Sequence, residues 1–411
     1  MTERDRASVG QGPDVTPARG KPGGVTRRRL ILVAGALGVL GAVATAIGFA
    51  TAPAQAAFSY LTAWSFALSI AIGALIFQMI GHATDARWTI VFRPFTEAIA
   101  GSLPVLAVLF VPIAVSAGEL YPWARPARAL ATLDAETQAL LAHKAPYLNL
   151  GFWVIRAAAC FALWIAIDEL LVRWGTRFGR EPRAITRARA LSAAGLPAIG
   201  LTLTFAAFDW LMSLTPLWSS TIFGLLYFSG GFVAALSLIA VVACAARRVP
   251  AVAVNLHASH TGALGRMVFA FLVFWAYMEF AQGFIVWIAN KPDEVPWYVA
   301  RGAGAWGSVF ALLVIGHFAA PFFALLSRSL KRRPTLLAIA GGWLVAMHYV
   351  DVTWLVMPVL HGAPALHWLD LAAPCAVLGL TTAVTCVRRR TRSAVATDDP
   401  RFAAAVAYEG T

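Results

Sequence analysis

The sequence predicts an all-α integral membrane protein with ten transmembrane helices. Of its 411 residues, 59% are hydrophobic and only 13% are charged, and the mean hydropathy is +0.71. A soluble domain usually carries about 25% charged residues. The apolar runs are continuous rather than alternating, which favours helices over the strands of a membrane barrel.

Ten apolar runs are long enough to cross a bilayer, because about 20 helical residues at about 1.5 Å each span a hydrocarbon core of roughly 30 Å. The predicted spans are residues 30–50, 58–80, 95–116, 150–172, 191–213, 218–243, 264–288, 303–326, 335–358 and 368–387. The longest loop, 117–150, contains a possible amphipathic helix, LDAETQALLAHKA. The polar tails at 1–25 and 391–411 are predicted to be disordered, and residues 26–390 form the membrane domain.

The basic residues predict the topology. Of the 33 Lys and Arg residues, 27 lie in the termini or in the loops after the second, fourth, sixth and eighth spans. Five lie in the remaining loops, and Arg156 lies inside a span. By the positive-inside rule, both termini are cytoplasmic in a bacterial inner membrane. The net charge of +13 then needs no nucleic acid to explain it, because the basic loops face anionic lipid.

The N-terminus allows two interpretations. Arg27, Arg28 and Arg29 precede an apolar stretch that ends near Ala56, as in a twin-arginine or general secretion signal. That stretch has about 20 residues, whereas the apolar region of a signal peptide usually has 7–15. The length favours a retained first helix, and cleavage would leave the orientation of the other nine spans unchanged.

Ionisable residues inside the spans are the candidate functional residues, because charges in hydrocarbon are costly and are usually retained for a function. Counting about 1.5 Å per residue places five of them in one layer of the outer half and His317 deeper. The five are Arg156, Asp209, Glu279, His348 and Asp351. His348 and Asp351 share a helix face at i and i+3.

Two interpretations of this layer stay open. The carboxylates and the histidines can accept or relay protons. Alternatively, the layer is structural, with Arg156 forming an ion pair with a carboxylate such as Asp209 and joining two helices. The same choice applies to His317, which could simply hydrogen-bond a neighbouring helix.

The sequence predicts no metal or haem site. The four cysteines form no CxxC pair, and none lies in a long outer loop, so an iron–sulfur cluster is not expected. A b-type haem commonly needs two axial histidines, and the two in the spans, His317 and His348, are predicted at different depths.

Eight of the 15 tryptophans fall near the outer ends of the spans. An interfacial aromatic belt is the expected explanation for most of them. They are Trp123, Trp153, Trp218, Trp287, Trp297, Trp306, Trp354 and Trp368.

Four ordered motifs carry a resemblance to a known family. The first is FDWLMSL at 208–214 with STIFG at 220–224, and the second is FWAY at 274–277 with AN at 289–290. The third is HFAAPF at 317–322 with LSR at 326–328 and KR at 331–332. The fourth is VD at 350–351 with LVMP at 355–358. Together they resemble the NrfD/polysulfide-reductase membrane-subunit family, in its quinol:cytochrome c oxidoreductase (alternative complex III) branch. The chain is more similar to the second, ActF-like subunit of that branch, over roughly residues 58–388.

The resemblance implies a fold of two four-helix bundles, spans 2–5 and 6–9, with spans 1 and 10 outside them. It implies a subunit without haem or cluster that forms a quinol pocket, for menaquinone or ubiquinone, or a proton pathway. The implied partners are a related NrfD-like membrane subunit, an iron–sulfur subunit and c-type cytochrome subunits. Asp209, Asp351 and His317 carry over as motif residues, whereas Glu279 stands where the family pattern is usually uncharged.

Two alternatives to this function remain. The first is an NrfD-like, quinone-interacting subunit of another reductase complex. The second is a secondary transporter, in which broken helices commonly form a binding site at the midplane of the membrane. The predicted polar layer lies away from the midplane, which argues against transport.

Overall fold

A computed structural model describes residues 24–125, 134–292 and 294–410 of the chain. These residues form helices and connecting turns, and no strand is present among them. Within the same ranges, ten helical segments are long and apolar enough to cross a membrane. The predicted all-α membrane fold is therefore confirmed.

The ten spanning segments are numbered α1 to α10 in chain order. Their bounds are α1 Gly24–Thr51, α2 Pro53–Ala83, α3 Arg87–Val115, α4 Leu150–Gly175, α5 Pro182–Trp210, α6 Phe223–Ala246, α7 Ala258–Ala289, α8 Gly304–Leu326, α9 Pro334–Val356 and α10 Leu369–Arg388. Each predicted run matches one of these segments. Several helices are longer than the predicted apolar run, because polar residues at their ends are also helical.

Helices α2 and α6 form the centre of the molecule. They pack against each other, α2 also contacts α3 and α5, and α6 also contacts α7 and α9. Small residues allow the close approach, since a Cβ added to Gly73 of α2 would lie 2.7 Å from the Cβ of Ala235 on α6. The bundles α2–α5 and α6–α9 thus meet along α2 and α6, and α1 lies outside them against α10.

Two of the spanning segments are irregular. Segment α3 consists of a 3₁₀ turn at Arg87–Phe92 and three short helices ending at Val115, with prolines near the start of each short helix. Proline has no backbone N–H to donate, so these positions interrupt the helical hydrogen bonds. Segment α8 contains a π-helical stretch at Leu313–Ala319, which includes His317.

The predicted amphipathic helix is present as Ala135–Lys144. Asp134 caps its first turn by accepting a hydrogen bond from the backbone N–H of Thr137 at 2.8 Å. Residues 126–133 of this loop, like the N-terminal tail at 1–23, lie outside the described residues.

The structure differs from the predicted disorder of the C-terminal tail. Residues 391–410 fold back onto the bundle and include a short helix, Phe402–Val406. The buried carboxylate of Asp399 lies between Arg93, at 3.1 Å, and Arg401, at 2.9 Å. Ion pairs and buried apolar side chains together hold this segment, since Val395, Ala396 and Ala405 are also buried. Its polar composition alone therefore gives a misleading prediction.

The same end of the molecule carries the arginine-rich loops, and we call it the basic face. Two further carboxylates at the end of α4 are paired there. Asp168 accepts from Arg389 at 2.8 Å, and Glu169 accepts from Arg388 at 2.6 Å, which ties α4 to the end of α10. The other end of the bundle is called the opposite face below.

Candidate functional site

A buried histidine–aspartate pair lies in the half of α9 nearer the opposite face. His348 and Asp351 are only 1% and 2% exposed. The Nδ1 atom of His348 lies 3.5 Å from Oδ2 of Asp351, while its Nε2 atom is 2.8 Å from the hydroxyl of Ser69 on α2. The Nδ1 atom of His348 and the Oδ1 atom of Asp351 have no hydrogen-bond partner. The pair is therefore buried but incompletely hydrogen-bonded, as expected of groups that exchange protons or bind a ligand.

A glycine on α6 makes room for this pair. A Cβ added to Gly230 would lie 3.1 Å from Oδ2 of Asp351 and 3.1 Å from Nδ1 of His348. Such a contact is tighter than ordinary van der Waals packing. The absence of a side chain at Gly230 thus lets α6 pass directly over the pair.

His317 lies next to the pair. Its ring centroid is 6.5 Å from that of His348, and its ring stacks on Trp275 of α7 at 4.0 Å. Both ring nitrogens of His317 are buried without a hydrogen-bond partner. His317 lies within the π-helical stretch Leu313–Ala319, and such stretches are frequent at functional sites. The absence of a haem stays a prediction.

Glu279 on α7 is the fourth member of the cluster. Its Oε1 atom is buried without a hydrogen-bond partner, and its carboxylate lies within electrostatic range of Asp351. The residue as a whole is partly exposed, and its neighbours Tyr277 and Phe280 are 60% and 65% exposed on the outer surface of α7. Glu279 therefore connects the buried pair with the membrane-facing side of the bundle.

Two polar side chains lie between Glu279 and the opposite face along the chain. Gln282, one turn further along α7, accepts a hydrogen bond from the hydroxyl of Ser220. Tyr298 follows in the short helix Val295–Gly302, where burial raises its pKa far above the usual range and the Glu279 carboxylate adds to the increase. Tyr298 is therefore neutral at physiological pH.

The ion pair expected between Arg156 and Asp209 is present, but it is separate from this cluster. Nε and Nη2 of Arg156 donate to the two carboxylate oxygens of Asp209 at 2.7 and 2.8 Å. Nη1 donates to the carbonyl of Tyr147 at 2.9 Å, and the guanidinium lies over the Tyr147 ring at 3.9 Å. Since both carboxylate oxygens are occupied, Asp209 joins α5 to α4 and is not placed as a proton acceptor.

A buried arginine escapes the analysis of the sequence. Arg301, in the helix Val295–Gly302, is only 3% exposed and lies over the ring of Trp297 at 3.7 Å. It donates to the carbonyl of Leu355 at 2.9 Å, and no carboxylate pairs with it among the described residues. Burial lowers the pKa of Arg301, and the nearby Tyr298 opposes this effect. Two features of the sequence could have identified Arg301. Aromatic residues stand next to it, and basic residues are scarce on this face.

The predicted aromatic belt is wrong for most of its members. Trp287 and Trp368 are exposed, whereas the other six tryptophans of that set are buried in the protein. Trp218 and Trp297 stack at 4.3 Å, and Trp354 packs edge-on against Trp297 at 5.9 Å. These rings form the packed end of the second bundle, because hydrophobic rings near a helix end can face either lipid or a neighbouring helix.

Comparison of the sequence with protein-family models and with curated proteins gives no match.

Proposed function

We propose that the chain is an integral membrane subunit of a respiratory quinol:cytochrome c oxidoreductase, in which it contributes a quinol pocket and a proton pathway. One observation carries the proposal. Four ionisable side chains from α7, α8 and α9 lie near one another, and each has a buried hydrogen-bonding atom without a partner. Such groups are costly in a membrane bundle, so their retention favours a role with protons or ligands. They are Glu279, His317, His348 and Asp351.

The partly exposed position of Glu279 supports a substrate that arrives from the lipid. A quinol dissolves in the bilayer and carries two hydroxyl groups that can donate hydrogen bonds to a carboxylate. Its oxidation releases two protons and two electrons. In this proposal Glu279 accepts a proton from the quinol, and the electrons pass to redox groups of partner subunits.

The pair of His348 and Asp351 is the next proton acceptor. An imidazole nitrogen and a carboxylate oxygen can each bind a proton, and Nδ1 of His348 lies 3.5 Å from Oδ2 of Asp351. Proton transfer from Glu279 to this pair leaves Glu279 free to accept again. The protons then leave at the opposite face, which is periplasmic if the basic face is cytoplasmic.

Purification of the tagged full-length chain from native membranes tests the proposal. We expect it to copurify with an iron–sulfur subunit, c-type cytochromes and a related ten-helix subunit, and the complex should oxidise quinol and reduce cytochrome c. Purification of the chain alone, or with a reductase that contains no c-type cytochrome, would contradict the proposal.

A further inference from the structure

Three cations come together on the basic face where α7 begins. Arg266 lies on α7, and Lys331 and Arg332 lie in the short helix Arg328–Arg332. Glycines of α7 permit the close approach. A Cβ at Gly262 would lie 3.2 Å from Cγ of Arg332 and 4.0 Å from Nη1 of Arg266, and one at Gly265 would lie 2.9 Å from Cβ of Lys331.

These three cations have no carboxylate partner. None of them forms an ion pair in the described part of the chain, although many other arginines of this face do. Nη2 of Arg266 donates a hydrogen bond to the hydroxyl of Tyr408 at 3.4 Å. The pKa of Lys331 is lowered, first by its partial burial and then by the positive charge of Arg266. Like charges held together in this way favour the binding of an anion.

A cavity of about 460 Å³ opens beside the three cations. Its lining includes Arg332, His257, Ser259, Tyr408 and the carboxylate-bearing Glu409. Its volume falls within the range of about 300–1,000 Å³ that is usual for ligand pockets. The folded C-terminal segment forms one wall, because Ser259 donates to the carbonyl of Tyr408 at 2.7 Å and His260 contacts the carbonyl of Ala405 at 2.8 Å.

We propose that this cavity binds the phosphate of an anionic phospholipid. Arginine, lysine and tyrosine hydroxyl groups are suitable donors to phosphate oxygens. The cavity lies at the end of a spanning helix, at the level of lipid headgroups, and basic pockets between such helices bind anionic headgroups.

Exposed apolar side chains favour a lipid over a soluble phosphate. Phe323 and Leu326, at the end of α8 that leads into the short basic helix, are 70% and 53% exposed. They offer a surface for acyl chains next to the cations. The inference is independent of the proposed redox function, since it uses none of the cluster residues.

Lipid binding to the purified full-length chain tests this inference. The site variant is Arg266→Gln/Arg332→Gln, and the matched control is Arg328→Gln/Arg333→Gln, which removes two exposed charges from the same loop. The probes are phosphatidylglycerol, phosphatidylcholine and inorganic phosphate. Native mass spectrometry measures the bound lipid, and a second measurement gives the shift in Tm that the lipid causes.

We expect phosphatidylglycerol, but not phosphatidylcholine, to bind the wild type and the control. The site variant should bind it roughly tenfold more weakly, the loss expected when charge-assisted hydrogen bonds are removed. Equal binding to site and control variants would overturn the inference. Displacement of the lipid by millimolar inorganic phosphate would also overturn it, because the site would then take a soluble anion.

A second variant keeps the test valid if the double substitution disturbs folding in gel filtration. Arg332→Gln alone leaves the backbone carbonyl of residue 332, which accepts a hydrogen bond from Thr261 at 3.1 Å. The same criteria then apply to this single variant, with Arg333→Gln as its control.

Discussion

Asp209 and Asp351 are both buried carboxylates in spanning helices, but their partners differ. Arg156 occupies both oxygens of Asp209, whereas Asp351 has only His348 at 3.5 Å and one oxygen without a partner. A carboxylate fixed by a guanidinium holds helices together. A carboxylate with a free oxygen beside a histidine can take up and release a proton.

Replacing Asp209 with Asn should therefore affect stability. The change leaves Arg156 as an uncompensated buried cation, which typically costs about 3–5 kcal/mol. We expect a lower Tm and less assembled complex on blue-native gels. The double variant Arg156→Met/Asp209→Leu removes both charges and should recover much of the loss; a single variant as stable as the wild type would contradict the structural role.

Gly230→Ala tests the space above the histidine–aspartate pair. The added methyl group would press on Asp351 and His348 at 3.1 Å, so we expect reduced turnover in a complex that still assembles. Gly342→Ala is the matched control, because it lies in α9 with no atom within 4 Å of the added Cβ. Equal turnover in the two variants would show that this space is unimportant.

At the scale of whole elements, two irregular segments hold residues discussed above. The π-helical stretch Leu313–Ala319 contains His317, whose ring lies 6.5 Å from that of His348. The C-terminal segment lies across the basic face, where Asp399 pairs with Arg93 of α3 and with Arg401 of its own segment. Burial raises the pKa of Asp399, but hydrogen bonds and charge from Arg401, together with the charge of Arg93, outweigh this and lower it.

Asp399→Ala should release the C-terminal segment. Removing the carboxylate takes an ion-pair partner from both Arg93 and Arg401, so we expect a destabilisation of about 3–5 kcal/mol and faster proteolysis after residue 390 at neutral pH. Asp398→Ala is the control, because the side chain of Asp398 is exposed. Its removal should change the free energy of unfolding by less than about 0.5 kcal/mol. Equal proteolysis of both variants would contradict the proposed role of the pair.

The pH dependence of this effect has a defined sign. Because the folded-state pKa of Asp399 is lowered, the pair contributes its full stability above the unfolded pKa of about 3.9. The contribution is lost as the pH falls through the lower folded pKa. The difference in Tm between wild type and Asp399→Ala should therefore persist at neutral pH and shrink below about pH 3.9.

For the molecule as a whole, the sequence predicts the spans well, because the length of an apolar run is a local property. It also predicts the pairing of Arg156 with Asp209 and the shared face of His348 and Asp351, which follow from charge and helical spacing. It misses the burial of Arg301 and of six tryptophans, and the folded C-terminal segment. Each of these depends on which neighbouring helix a side chain meets, and this information is not local.

The topology is a further prediction at this scale. The basic loops predict a cytoplasmic signal from a reporter fused after residue 180 and a periplasmic signal from one fused near residue 135. Alkaline phosphatase and green fluorescent protein fusions give complementary readouts. Signals reversed at both positions would contradict the assigned orientation, and with it the direction of proton release.

The measurement that tests the central claim most directly is the turnover of an assembled Asp351→Asn complex. Asparagine keeps the shape and much of the hydrogen bonding of aspartate but cannot accept the proton. We predict normal subunit content on blue-native gels, with quinol:cytochrome c activity or coupled proton release reduced at least about tenfold, equivalent to ~1.4 kcal/mol in the barrier. An assembled Asp351→Asn complex with normal turnover and normal proton release would contradict the claim that this residue relays protons.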